Sequence, residues 1–299
     1  MNRPGGLAAI GGTPVVRLAH LADEGCAEVW VKMEAANPTG SYKDRMALAM
    51  IEAAEADGRL RPGQLVVEYT GGSTGSSLAF VCAVKGYPLR IVSSDAFADE
   101  KIRTMRAFGA EVELIPSPDG ITPELIPAMI RRAAEITAQT GAFATDQFNN
   151  TDMVDGYRRL GEELLDQLPG PPPISAFCSY VGTAGCFLGV SRALAAALPE
   201  LHRVVVEPAE SAVLSGGPPG PITSRAAASA TAHPSSTPPT TTKSWPFPKP
   251  RHSRPPARPL APRASSLGPR PAPTSPPLSA SHAGSAPATG WSPSRSTAA

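Results

Sequence analysis

Asn37-Pro38-Thr39-Gly40-Ser41-Tyr42-Lys43-Asp44-Arg45 is the stretch from which the fold is read. Pro38 and Gly40 force a turn, Ser41 stands where a helix can be capped, and Lys43 follows just inside that helix. The next residues, Asp44-Arg45-Met46-Ala47-Leu48-Ala49-Met50-Ile51, carry apolar side chains at helical spacing, and Gly58 stops the run. A lysine in a first turn meets the positive end of the helix dipole, which disfavours its cationic form. The neutral amine is the form that condenses with an aldehyde. Taken alone, the position is that of a solvated surface lysine, the usual state of lysine. Its neighbours decide between the two readings.

Outward from this loop, strands and helices alternate. Glu28–Glu34 alternates as a strand before it. After the Lys43 helix, Gln64–Tyr69 reads as a buried strand, Ser76–Val84 as an apolar helix and Pro88–Ser93 as a strand. Asp99–Phe108 reads as a helix and Glu111–Ile115 as a strand. Thr122-Pro123-Glu124 is a helix start, with a cap and then proline at the first helical position, and that helix runs to about Thr140. Ala142–Phe148 is strand-like, Asp155–Leu168 a helix, Ile174–Cys178 a strand, Cys186–Leu198 a helix and Arg203–Glu207 a strand. The class expected is α/β with a mainly parallel sheet.

Composition divides the chain near Gly220. Residues 221–299 hold nine Lys and Arg, no Asp or Glu, and 18 of the 35 prolines, whereas all 26 acidic residues lie before them. Such a Pro/Ser/Arg-rich segment buries too little surface to offset the entropy of ordering it, so a disordered tail is expected. Its scattered arginines come with no folded reader module, which argues against nucleic acid as a partner. Cys26, Cys82, Cys178 and Cys186 form no CxxC pair, and no metal site is expected. Cys82 and Cys178 sit in apolar runs and read as reduced core residues. No signal-peptide pattern opens the chain and no run has membrane-spanning length, so the expected setting is cytoplasmic.

Two further loops join a strand to a helix and are rich in small residues: Thr70-Gly71-Gly72-Ser73-Thr74-Gly75 and Val181-Gly182-Thr183-Ala184-Gly185. Each puts backbone N–H groups at a helix N-terminus, an anion site by geometry and dipole. Neither has P-loop or dinucleotide-binding spacing. Two anion loops and one amine have the layout of a pyridoxal-phosphate site acting on an amino acid.

The Asn37–Arg45 stretch closely resembles the cofactor-lysine motif of the cysteine synthase / cystathionine β-synthase family, fold type II among pyridoxal-phosphate enzymes. Gly11-Gly12-Thr13-Pro14, Lys32-Met33-Glu34, Asp146-Gln147-Phe148-Asn149-Asn150, Val204-Val205-Val206-Glu207-Pro208 and Leu214–Gly220 match in the same order. The resemblance covers roughly residues 8–221. It implies that Lys43 forms the Schiff base with the cofactor aldehyde and afterwards removes the substrate α-proton. It implies that Thr70, Gly71, Ser73, Thr74 and Gln147 bind the substrate carboxylate, with Ser73 also beside the cofactor ring. Gly182, Thr183, Ala184, Gly185 and Cys186 are implied to wrap the cofactor phosphate. The implied reaction is β-replacement on an O-activated serine, O-acetylserine with sulfide giving cysteine and acetate; homocysteine with serine is the alternative within the family. A homodimer is implied as well. So are two α/β domains: residues 1–40 and 147–220 as an incomplete cofactor domain, and 41–146 as a smaller substrate-side domain.

Three departures stand out. Ser73 takes the place of the family's Asn. Ala184 and Cys186 take the places of Gly and Thr in the phosphate loop. After Gly220-Pro221 the resemblance stops, before the Gly-rich segment and the late Ser or Thr that would face the pyridine nitrogen. The acid-free continuation is what another reading frame of a GC-rich gene would encode, so a frameshift or truncation near residue 221 is the expected cause. A catalytically impaired relative is the alternative to an active enzyme.

Overall fold

The structure, a computed structural model, describes residues 5–19, 25–168, 170 and 174–218, together with the backbone of 242–247. All of these lie in one unit, Met1–Arg251. Two short strands, β1 (Val15–Arg17) and β2 (Trp30–Lys32), pair antiparallel. β2 is shorter than the alternation of 28–34 predicts, and Trp30 and Val31 are largely exposed.

The lysine helix, α1 (Lys43–Ala56), buries Met46, Ala47, Leu48, Met50, Ile51 and Ala54 on the face that the apolar spacing marks out. Each of the large side chains contributes about 1.5–3 kcal/mol by leaving water. From there the chain runs β3 (Val66–Tyr69), α2 (Ser73–Lys85), β4 (Leu89–Ser94), α3 (Asp99–Ala107), β5 (Glu111–Ile115), α4 (Leu125–Thr140) and β6 (Phe143–Ala144). The four strands form a parallel sheet in the order β5-β4-β3-β6. Both faces are covered, which is why β3 and β4 are buried along their length although Glu68, Arg90, Ser93 and Ser94 interrupt their apolar residues. Val66, Leu89 and Ile91 pack with α1 and α2 residues such as Met50 and Leu78. Val67, Tyr69 and Val92, the alternate positions, pack with Leu125, Met129, Ala133 and Ile136 of α4.

The strand order fixes where a ligand can enter. From β3 the chain steps outward through β4 to β5, and then returns to lie on the other side of β3 as β6. The crevice at the C-terminal ends of β3 and β6 is therefore a topological switch point, where parallel α/β sheets bind ligands.

The last described helices are α5 (Asp152–Gln167) and α6 (Gly185–Ala197), with β7 (Ala176–Tyr180) and β8 (His202–Pro208) parallel. A third strand, β9 (Thr242–Phe247), joins the far side of β8, also parallel. This corrects the expectation of a tail without structure at 242–247. Thr, Trp and Phe favour a pleated strand, and an edge strand tolerates Pro246. The rest of 221–299 lies outside the described residues.

Helices α1, α5 and α6 are packed through glycine. A Cβ on Gly156 of α5 would lie 2.7 Å from the Arg45 carbonyl oxygen of α1. A Cβ on Gly189 of α6 would lie 2.4 Å from the Val154 oxygen of α5. Backbones so close bring the start of α1 to the start of α6.

Other boundaries differ locally. α4 begins at Leu125, because Thr122–Glu124 forms a preceding turn in which Leu125 N–H bonds to the Thr122 carbonyl at 3.2 Å. β6 has two residues because the chain turns at Asp146, whose φ is 45°. Cys82 is buried as expected, but Cys178 is exposed. The period of two on β7 turns Phe177 inward and leaves Ala176, Cys178 and Tyr180 on the opposite face.

Candidate active site

The Lys43 loop is held by its own motif. Asp44, fully buried, accepts hydrogen bonds from Thr39 N–H at 2.8 Å and Thr39 Oγ1 at 2.5 Å, so the loop folds back on the helix that follows it. Asn37 accepts from Gly11 N–H at 2.9 Å and donates to the Glu34 carbonyl at 2.9 Å. The Ser41 hydroxyl accepts from Lys43 N–H at 3.1 Å, the capping role its position predicts, although the residue immediately before the helix is Tyr42.

Arg45, on the turn that carries Lys43, anchors α1 to two other elements. It bonds Glu34 through Nε at 2.7 Å and Glu163 of α5 through Nη1 and Nη2, both at 2.7 Å. Lys32 adds a bond to Glu163 at 2.7 Å. Burial alone would raise the Glu163 carboxyl, but its hydrogen bonds from Arg45, Lys32 and Gly12 N–H outweigh that and hold it down at about 2.

Lys43 turns its amine inward, with Nζ 3.3 Å from Thr183 Oγ1, 140 residues away in sequence, and 3.8 Å from Met46 Sδ. Burial lowers its pKa to about 8, against the opposing pull of Cys186 and Glu68. The shift toward the neutral amine has the direction expected from the sequence, but its cause is desolvation rather than the helix dipole. The bland reading of Lys43 as a surface lysine is thereby set aside.

The loop Gly182–Cys186 opens α6, and the first turn of a helix leaves N–H groups without partners in the helix. Ala184 caps it in the left-handed region, with φ 62° and ψ −15°. Cys186 is a half-buried filler: burial pushes its thiol up to about 12, far from a reactive thiolate.

The second loop lies at the switch point. Thr70 Oγ1 accepts from Gly72 N–H at 3.2 Å, and Thr74 Oγ1 donates to Gln147 Oε1 at 2.6 Å, joining the two parts that the sequence assigned to one carboxylate. Gly71 lies directly against the Phe97 ring. Ser73 opens α2. Thus Thr70, Gly71, Ser73, Thr74 and Gln147 gather at one end of β3 and β6, and Lys43 gathers with Thr183 at the other loop.

Sequence reasoning missed Glu68 and Thr145. Glu68 Oε2 accepts from Thr145 Oγ1 at 2.7 Å and from Gln147 N–H at 3.1 Å, and Oε1 accepts from Tyr69 N–H at 2.9 Å. A carboxylate inside the apolar strand Leu65–Tyr69 was the signal available.

Pyridoxal phosphate carries its aldehyde and its phosphate arm on neighbouring ring carbons. A protein that holds it must set an amine beside an anion loop, and Lys43 Nζ beside Thr183 meets that requirement. The residues present fit the group.

Comparison with known proteins agrees with this geometry. The profile of the family described as "Pyridoxal-phosphate dependent enzyme" matches residues 7–248. Cysteine synthase of Staphylococcus aureus is 43% identical over 213 residues, 71% of this chain and 67% of that protein. Among solved structures, an O-ureido-L-serine synthase superposes with a TM-score of 0.71 at 34% identity, covering 78% of this chain and 72% of that one. Cysteine synthase from Entamoeba histolytica superposes with a TM-score of 0.74 at 30% identity, covering 83% and 73%.

Proposed function

The chain belongs to the pyridoxal-phosphate dependent enzymes, in the cysteine synthase family of fold type II, and from that premise we propose that it makes cysteine from O-acetyl-L-serine and sulfide. The observation that carries the proposal is the enclosed Lys43 amine, lowered to about 8 and 3.3 Å from Thr183 Oγ1. Pyridoxal phosphate is the enzyme's cofactor, and when bound it supplies an electron sink for the charge that develops at the substrate Cα.

This chain's residues do the rest. Lys43 would hold the cofactor through its side-chain amine and, with substrate bound, would take the α-proton as general base. Gly182, Thr183, Ala184, Gly185 and Cys186 would hold the phosphate through the backbone N–H groups of the α6 start and the Thr183 hydroxyl. Thr70, Gly71, Ser73 and Thr74 would hold the substrate carboxylate with Gln147, which would keep Cα in reach of Lys43. Ser73 would also serve the ring oxygen, with a shorter reach than the family's Asn.

In the same reading, residues 1–40 and 147–220 make the cofactor-side part and 41–146 the substrate-side part of a homodimeric, cytoplasmic enzyme. No helix among the described residues is long and apolar enough to cross a membrane.

The test is a purification in the presence of pyridoxal phosphate. Wild-type protein is expected to be yellow and to form cysteine from O-acetyl-L-serine and sulfide. Lys43→Ala should lose the visible band and the activity together. A colourless, inactive wild type would identify the chain as an impaired relative instead.

A further inference from the structure

Glu68 has no part in the reaction just described, yet it is only 1% exposed and sits between the two halves of the proposed carboxylate site. Its carboxyl takes all three of its hydrogen bonds from groups that shape that site: Tyr69 N–H, Thr145 Oγ1 and Gln147 N–H. The last two flank Asp146, a residue other than glycine at φ 45°, in a conformation that costs energy unless its surroundings impose it. Asp146 is also tied from outside, by Tyr69 Oη at 3.3 Å and Asn149 Nδ2 at 2.8 Å. Gln147, so placed, accepts the 2.6 Å bond from Thr74. The chain of contacts runs from β3 through the β6 turn and back to the loop that leaves β3.

Burial pushes Glu68 up to about 7, against those hydrogen bonds, so this carboxyl is kept out of water at a cost to folding. A side chain needed only to fill the strand would be apolar. An acceptor of three converging donors is needed where a turn must be held in one shape.

We propose that Glu68 is a positioning residue for the amino-acid substrate: it clamps Thr145 and Gln147 about the Asp146 turn, and through Gln147 it holds loop 70–75 ready for the substrate carboxylate. The proposal deepens the reading of Thr74 and Gln147 as a carboxylate site and rests on it.

The experiment uses the full chain saturated with pyridoxal phosphate and two calorimetric probes, L-serine and ethanolamine, which differ by the carboxylate. Glu68→Gln keeps the shape but turns an amide N–H2 toward donors. Thr145→Val removes one donor to the clamp without touching Glu68, and serves if Glu68→Gln folds poorly. Both variants are expected to weaken L-serine by about tenfold, the effect of a lost charge-assisted hydrogen bond, and to leave ethanolamine unchanged. In turnover with O-acetyl-L-serine the loss should fall on KM more than on kcat, and Thr145→Ser, which retains the hydroxyl, should restore it. Undiminished L-serine affinity in both variants, or an equal loss for both probes, overturns the proposal. If wild type itself binds L-serine no better than ethanolamine, the carboxylate reading falls, and the proposal with it. If wild type discriminates and Gln147→Ala abolishes that discrimination while Glu68→Gln does not, only the role of Glu68 is wrong.

Discussion

Ala184 shows how a single residue can hold the site at a cost. Its left-handed conformation is disfavoured for any side chain with a Cβ by about 1–2 kcal/mol. Ala184→Gly is expected to stabilise the protein by about 0.5–1 kcal/mol, the remainder being offset by the freer unfolded glycine, as read by urea unfolding. Lys43 teaches a different lesson. Its sequence position identified the amine, but burial by residues distant in sequence is what brings its pKa to about 8. No motif contains that burial. Cys178 is the converse: an apolar run announces a core, while the register of β7 decides which of its side chains is covered. Glu68 was overlooked because its meaning lies in Thr145 and Gln147, which approach it only through strand pairing.

Among the elements, α1, α5 and α6 set the distance between the Lys43 amine and the Gly182–Cys186 loop. Arg45 is buried between Glu34 and Glu163, so removing it takes the ion-pair partner they share, leaving Glu163 to Lys32 and Glu34 to the Thr13 hydroxyl and the Asn37 amide. Arg45→Met is expected to cost about 3 kcal/mol in urea unfolding and to weaken cofactor binding by displacing α1. Gly189→Ala would force Val154 O and the new Cβ apart from 2.4 Å, and about 1–3 kcal/mol of stability should be lost as α5 and α6 separate. A fall in pyridoxal-phosphate affinity in the same variant would tie that packing to the phosphate loop; unchanged affinity would separate the two. The existence of these helices was legible from apolar spacing, since each has one face to bury. Their ends were less so: Thr122-Pro123-Glu124 carries the signals of a helix start but closes a turn instead.

For the whole molecule, buried charges set the response to pH. Glu68 stands near 7 rather than 4.5, so between these values the folded chain binds more protons than the unfolded one, and stability falls as pH rises. Lys43, near 8 rather than 10.5, acts between those values: there the unfolded chain binds more protons, and stability rises with pH. Glu163, lowered to about 2, contributes stability that is present above 4.5 and lost as pH falls toward 2. The Tm of cofactor-free protein should therefore decline between pH 5 and 7, and by a few degrees less in Glu68→Gln. A chain ending at residue 241 should melt earlier than the full chain, because β8 loses the partner that covers one edge. The α/β class was legible in the alternation of elements. The return of β6 to the far side of β3 was not, because pairing order depends on crossovers that leave no local mark. The pairing of β9 was hidden further by a composition that reads as unable to fold.

The 3.3 Å approach of Lys43 to Thr183 spans 140 residues of chain, and this has a consequence during synthesis. A nascent polypeptide that has reached only α4 lacks Thr183 and the loop around it, so its Lys43 amine has the pKa of an ordinary lysine. The lowered pKa of Lys43 comes into being late, once the start of α6 packs beside it. On the function proposed above, the amine and the loop that would hold the cofactor phosphate are thus assembled in the same folding event.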